Sequence, residues 1–138
     1  MKVKGFKKKQ KGSKRKGIWG IRTKTLRMIL EASKETFPNE FSATLRAEDG
    51  VINELLMLPG TLQGETSAIL RLHMLPIDYS VVGSVHSHPS GVIRPSEADL
   101  QLFEKFGKVH IIVGRPYDLG SWRAFDFKGN PIRLELVD

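Results

Sequence analysis

From residue 24 to 37, apolar side chains recur at steps of three and four. Leu26, Ile29, Leu30, Ser33 and Phe37 share one face, with Arg27, Glu31, Lys34 and Glu35 mostly opposite, so the pattern predicts an amphipathic helix that Pro38 stops. The period then changes to two. Stretches 41–47 and 51–58 alternate, and Glu48-Asp49-Gly50 between them carries the Asp-Gly pair that favours a tight hairpin. Residues 59–67 are rich in Gly and Thr and read as a loop. A strand at 69–75 is closed by Pro76, and another at 81–88 by Pro89. Residues 91–95 form a loop. A second helix follows over 96–106, with Leu102, Phe103 and Phe106 inward and Gly107 as its stop. The nearly all-apolar run 109–113 reads as a central strand. Large residues alternate over 122–127, where Trp122, Phe125 and Phe127 are expected to pack the core, and Gly129-Asn130 turns into a last strand at 132–137. No internal repeat is present. The order of elements predicts an α+β fold, a sheet flanked by two helices.

Charge changes this picture at one end only. The 138 residues hold 22 Lys and Arg against 15 Asp and Glu, a formal charge of +7. Nine of the cations and none of the acids lie in residues 1–17, which leaves 18–138 at about −2. The chain therefore divides into a basic tail, 1–17, expected to be disordered, and a single domain, 18–138, of near-neutral balance. The tail suits weak contact with nucleic acid or another polyanion, or serves only as a solubilising leader. Trp19 stands where it could anchor the tail to the domain. No apolar run approaches the roughly 20 residues of a membrane span, and no signal core follows the N-terminal charges, so a cytoplasmic location without membrane contact is expected. The absence of Cys excludes a disulfide scaffold, thiolate metal sites and a cysteine nucleophile.

The chemistry is concentrated in His86-Ser87-His88-Pro89, with Ser96 and Asp99 following. Alternate strand residues share a face, so His86 and His88 project together, with backbones about 6–7 Å apart. Pro89 ends the strand and places the pair at its mouth. Ser96 followed three positions later by an acid is also a helix capping box, which puts Asp99 in the first turn with or without a metal. Two imidazoles and a carboxylate with one open position form a site of catalytic type that suits zinc. His73 and His110 are expected to be structural or surface residues.

The spacing His-Ser-His, seven residues, Ser, two residues, Asp resembles the JAMM motif of MPN-domain metalloproteases, and the likeness runs from about Thr23 to the C-terminus. Pro38-Asn39-Glu40-Phe41 matches the family's upstream glutamate, and Gly83-Ser84-Val85 enters the His strand as in family members. The resemblance implies the MPN fold, cytidine-deaminase-like, with a mixed, largely antiparallel curved sheet and two main flanking helices. It implies one Zn²⁺ per chain on His86, His88 and Asp99, with water in the fourth place. Glu40 would accept a proton from that water and pass it to the leaving amine. Ser96 would hydrogen-bond the oxyanion. The substrates it implies are conjugates joined through a ubiquitin-like C-terminus to a lysine. The Gly-containing segment 59–66 is either a flap that pairs with the extended tail of the modifier by strand addition or a plain connection. From residue type and spacing alone, Glu31, Glu35, Glu54 and Glu65 are equal rivals of Glu40. Two related readings stay open. One is a non-catalytic MPN scaffold, although the chain keeps all five motif residues. The other is a RadC-like DNA-associated protein, which His88-Pro89-Ser90-Gly91 also resembles. A zinc deaminase of related topology needs paired Cys ligands and is excluded.

Overall fold

The computed structural model describes residues 16–57 and 78–138. Most of the basic tail, the loop and flap at 59–67, the strand expected at 69–75, His73 and Glu65 lie outside the described residues. The elements are β1 (Gly20–Arg22), α1 (Thr23–Thr36), β2 (Ser42–Glu48), β3 (Val51–Met57), β4 (Gly83–His88), α2 (Glu97–Lys105), β5 (Val109–Gly114), β6 (Trp122–Phe125), β7 (Pro131–Ile132) and β8 (Glu135–Val137). No described helix is long and apolar enough to cross a membrane.

Helix α1 buries Leu26, Ile29, Leu30 and Ser33 of the face expected from the sequence, whereas Phe37, also expected on it, is the residue that caps the helix and is exposed. The β2–β3 turn has Asp49 and Gly50 both at positive φ, 54° and 81°, the two left-handed residues that a two-residue hairpin of primed type requires. Trp19 clips the chain entering β1 onto this turn: its amide donates to the Gly50 carbonyl at 2.8 Å and its indole Nε1 to the Asp49 carbonyl at 3.2 Å.

The eight strands form one sheet in the order β7-β6-β5-β4-β2-β3-β1-β8. Strand β1 runs parallel to β3 and β8, and β4 runs parallel to β5. The other pairs are antiparallel. A parallel pair cannot be joined by a tight turn, and α2 forms the crossover between β4 and β5. One face of the sheet presents Ala43, Leu45, Val85, Ile111 and Val113 to the main core, which includes Leu26, Ile29 and Leu30 of α1. On the other, Ile112 and Phe125 pack with Phe103 of α2. The mixed α+β sheet between two helices is thus as expected.

Three local expectations are corrected. Strand β1 precedes α1 and was not foreseen. The stretch 132–137 is not one strand: β7 pairs with β6 at one edge, and β8 pairs with β1 at the other. Ile132 and Glu135 are three Cα steps apart, at most about 11 Å. Eight flat strands would separate the two edges by about 34 Å. The sheet must therefore curl until its edges nearly meet, and Leu134 is buried in the core at that closure. Finally, Phe127 does not pack the core; it is 44% exposed. Strand β6 ends at Phe125, and Asp126 then accepts from the amides of Lys128 and Asn130, both at 2.9 Å, in a turn that carries Phe127 outward.

Candidate metal centre

Strand β4 ends at His88, beside Gly114 at the end of its parallel neighbour β5. His86 and His88 extend from the same face, and their Nε2 atoms stand 3.0 Å apart. Helix α2 brings Asp99 to them from its first turn. Asp99 Oδ1 lies 3.0 Å from His86 Nε2, and Oδ2 lies 3.3 Å from His88 Nε2. The expected capping box is present: the Ser96 amide donates to Asp99 Oδ2 at 2.8 Å, and the Asp99 amide donates to Ser96 Oγ at 3.1 Å. Asp99 and His86 are each 1% exposed at the side chain and His88 17%, so the site is buried with its opening on the His88 side.

The electrostatics follow from this geometry. Burial works against an ionised Asp99, but hydrogen bonds from His86 and His88, the charge of His86 and the Ser96 amide outweigh it and hold the carboxyl well below the usual carboxylate range. Burial likewise opposes a charged His88, yet the Asp99 carboxylate, the Val92 carbonyl and the charge of Glu40 raise it overall. His88 Nδ1 lies 2.8 Å from the Val92 carbonyl, which can only accept, so Nδ1 carries a proton in either state of the ring: the charged ring donates from Nε2 to Asp99, and the neutral ring leaves Nε2 as the atom that can bind an ion.

One donor atom from each of His86, His88 and Asp99 can be chosen so that all lie within 4.8 Å of one another. Two imidazole nitrogens and a carboxylate oxygen aimed at one point, with the carboxylate already ionised and one ring tautomer fixed, fit a divalent ion of the zinc type. Three protein ligands leave room for a fourth.

Glu40 is half-buried, two residues before β2, and its charge acts on His88. Glu31 and Glu35 lie exposed on α1, with Glu31 3.5 Å from Lys34, and Glu54 faces Arg46 at 3.7 Å. Glu48 is exposed and accepts from Asn53 at 3.2 Å, so of the described upstream glutamates Glu40 is the one whose charge acts on the His strand. Ser87, not singled out from the sequence, explains how. Its amide donates to the Phe41 carbonyl at 2.9 Å, a regular ladder bond. In return the Phe41 amide donates to the Ser87 hydroxyl at 2.8 Å, in the place of the Ser87 carbonyl. The residue between the two histidines thus clasps the residue after Glu40 from both sides. A serine at an alternating strand position carries no signal of such a bond, and neither does the carbonyl of Val92. Ser96 stands at the exposed rim.

His110, expected to be structural or at the surface, is structural. It is fully buried, stacked on Phe103 at 4.1 Å, and bonded to Ser84 Oγ at 2.7 Å and the Gly107 carbonyl at 3.2 Å.

A curled α+β sheet with a His-His-Asp cluster at the mouth of its parallel pair defines the class of JAMM metalloprotease-like domains. Comparison with known proteins gives the family. Residues 22–128 match the prokaryotic homologs of the JAB domain, and the chain belongs to that family. It is 43% identical over 131 residues to a probable metalloprotease of Haloferax volcanii, covering 88% of this chain and 81% of that protein. A solved JAMM structure, presented as a metalloprotease-like zinc site in the proteasome and signalosome, is 41% identical with a TM-score of 0.69, over 88% of this chain and 99% of that one. A JAB1/MPN domain protein from Archaeoglobus fulgidus is also 41% identical, with a TM-score of 0.70 over 86% and 99% of the two chains.

Proposed function

We propose that this protein is a zinc-dependent isopeptidase that hydrolyses the bond between the C-terminus of a ubiquitin-like modifier and a lysine amine. The observation that carries the reading is the buried cluster of His86, His88 and Asp99, within hydrogen-bond distance of one another and open on one side, in a chain of the JAMM family.

His86 and His88 through Nε2, and Asp99 through its carboxylate, would hold one zinc ion per chain. When bound, such an ion polarises a scissile carbonyl and makes water acidic enough to be deprotonated near neutral pH. The chain's own groups do the rest. Glu40, held beside the His strand by the Phe41–Ser87 clasp, takes the proton of the attacking water and returns it to the departing lysine nitrogen. Ser96 accepts a bond from the Asp99 amide and keeps its hydroxyl hydrogen, which it donates to the oxyanion as the carbonyl carbon becomes tetrahedral. A fixed donor in that role contributes about 3 kcal/mol in well-studied cases. The segment 59–66 would serve as the strand-pairing flap for the modifier's tail, and the basic tail as a polyanion contact that leaves the domain's chemistry untouched.

Zinc-loaded protein incubated with a panel of ubiquitin-like conjugates and short isopeptides, with and without a chelator, tests the reading. The expected result is chelator-sensitive cleavage of at least one conjugate, abolished by Glu40→Gln with zinc retained. Cleavage that survives complete zinc removal, or equal rates for Glu40→Gln and wild type, would overturn it.

A further inference from the structure

Two buried polar atoms on the sheet face that carries the histidines have no hydrogen-bond partner among the described residues: Ser42 Oγ and His86 Nδ1. They belong to directly opposed residues, since Ser42 pairs with His86 across β2 and β4. The adjacent rung, Phe41 with Ser87, carries a ladder bond at 2.9 Å. Hydrogen-bonded and non-bonded rungs alternate in an antiparallel pair, so Ser42 and His86 form a non-bonded rung. In such rungs the Cα atoms approach to about 4.5 Å and the side chains lie closest. Nδ1 is the ring nitrogen nearer the backbone, and the two orphaned atoms belong to side chains on one rung and one face, although they do not bond each other in the rotamers present. Left unpartnered, each of these atoms has given up its hydrogen bonds to water for none in the protein. Two such costs in facing positions call for a common explanation.

The contrast with His88 supplies it. That ring donates from Nδ1–H to the Val92 carbonyl, which leaves Nε2 as the nitrogen facing the cluster. His86 has no carbonyl in that role. The other polar groups nearby are engaged: Ser84 Oγ and the Gly107 carbonyl belong to His110, and Ser87 Oγ belongs to Phe41.

We infer that Ser42 is the outer partner of His86: through one buried water, or after its side chain turns toward the ring, its hydroxyl accepts a hydrogen bond from Nδ1–H and holds the ring with the Nε2 lone pair aimed at the ion. Ser42 touches neither ion nor substrate, so it is a positioning residue. The inference rests on the zinc reading above but does not depend on which bond the enzyme cuts. Groups that orient a metal-bound imidazole in this way are worth about 10–100-fold in metal affinity.

The test uses the full chain, stripped of metal, and zinc titrated against a chromophoric chelator. Ser42→Ala should bind zinc about 10–100-fold more weakly than wild type, and Ser42→Thr, which keeps the hydroxyl, should restore most of that loss. In zinc-loaded wild type labelled with ¹⁵N-histidine, the His86 Nδ1 proton should be visible and protected from exchange, and in Ser42→Ala it should exchange rapidly. Zinc affinity unchanged to within about threefold in Ser42→Ala, against the loss expected of an outer partner, would overturn the inference while leaving the zinc reading standing. Wild type that binds no zinc would overturn both. Should Ser42→Ala fail to fold, the wild-type Nδ1 proton decides alone: absent or unprotected, it refutes Ser42 as the partner.

Discussion

His110 should make the domain sensitive to mild acid in a way that can be calculated. Its ring is stacked on Phe103 with planes 8° apart. The Gly107 carbonyl can only accept, so Nε2 carries the proton and Nδ1 accepts from the Ser84 hydroxyl. Protonating Nδ1 would force the Ser84 hydroxyl to turn from donor to acceptor and would bury a charge. Burial pushes His110 down to about 4, from an ordinary 6.5. Between those values the unfolded chain takes up a proton that the folded chain refuses. Stability therefore falls as pH drops from 6.5 towards 4 and is unaffected by this group above 6.5. At about 1.4 kcal/mol per pH unit, the loss across that interval is about 3 kcal/mol, a large share of a domain's net stability. The assay is urea unfolding of metal-free protein at pH 7 and pH 4, for wild type and His110→Gln. All other titrating groups are common to the two, so their difference isolates His110. The variant should start less stable at pH 7 and lose about 3 kcal/mol less on acidification. Parallel stability curves, or an NMR titration of His110 with a midpoint near 6.5, would refute the reasoning.

Three further outcomes are expected. Asp99→Asn keeps a side-chain oxygen for the Ser96 amide but removes the charge, so α2 should remain folded by amide exchange while zinc affinity falls at least about 100-fold; near-normal zinc binding would remove Asp99 as a ligand. Ser87→Ala should cut kcat about tenfold or more with zinc content and KM little changed, because it frees the Phe41 amide beside Glu40, and Ser87→Thr should recover most of the rate; equal loss in both variants would mean a packing defect instead. Gly83→Ala should destabilise by more than about 3 kcal/mol in a denaturant melt, since its Cβ would fall 1.6 Å from the Val109 carbonyl oxygen across the β4–β5 pair; a loss under about 1 kcal/mol would show that the strands can part there.

What could be read from the sequence was what is encoded locally. The two histidines, Pro89, Ser96 and Asp99 lie within fourteen positions, and their placement follows from strand alternation and a capping box, both short-range rules. Glu40 depends on which strand lies beside β4. Glu31, Glu35, Glu54 and Glu65 were its equals until the β2–β4 register and the Ser87 clasp drew Glu40 in. The same limit explains the errors. Strand β1 is three residues long, too short to show a period, and it is held between β3 and β8 from distant parts of the chain. Residues 132–137 read as one strand because curling of the sheet has no local signature. Phe127 continued the spacing of Phe125, but the side chain of Asp126 had already turned the chain.

Asp99 shows why the local string suffices to build a site that is ready before any ion arrives. Its carboxylate closes the capping box of α2 and faces both imidazoles, so one rotamer serves the helix and the cluster. The Ser96 amide helps keep it ionised, and a positive helix N-terminus favours the same state. A carboxylate recruited for a metal alone would have to be ordered when the ion binds, at a cost in side-chain entropy. Here the fold has already met that cost, because α2 needs the cap to start and the parallel β4–β5 pair needs α2 to connect it. The position of Asp99 relative to the histidines is thus set by the crossover itself. Changes that preserve the crossover should preserve the cluster, while those that loosen the start of α2 should weaken metal binding even when every ligand is retained.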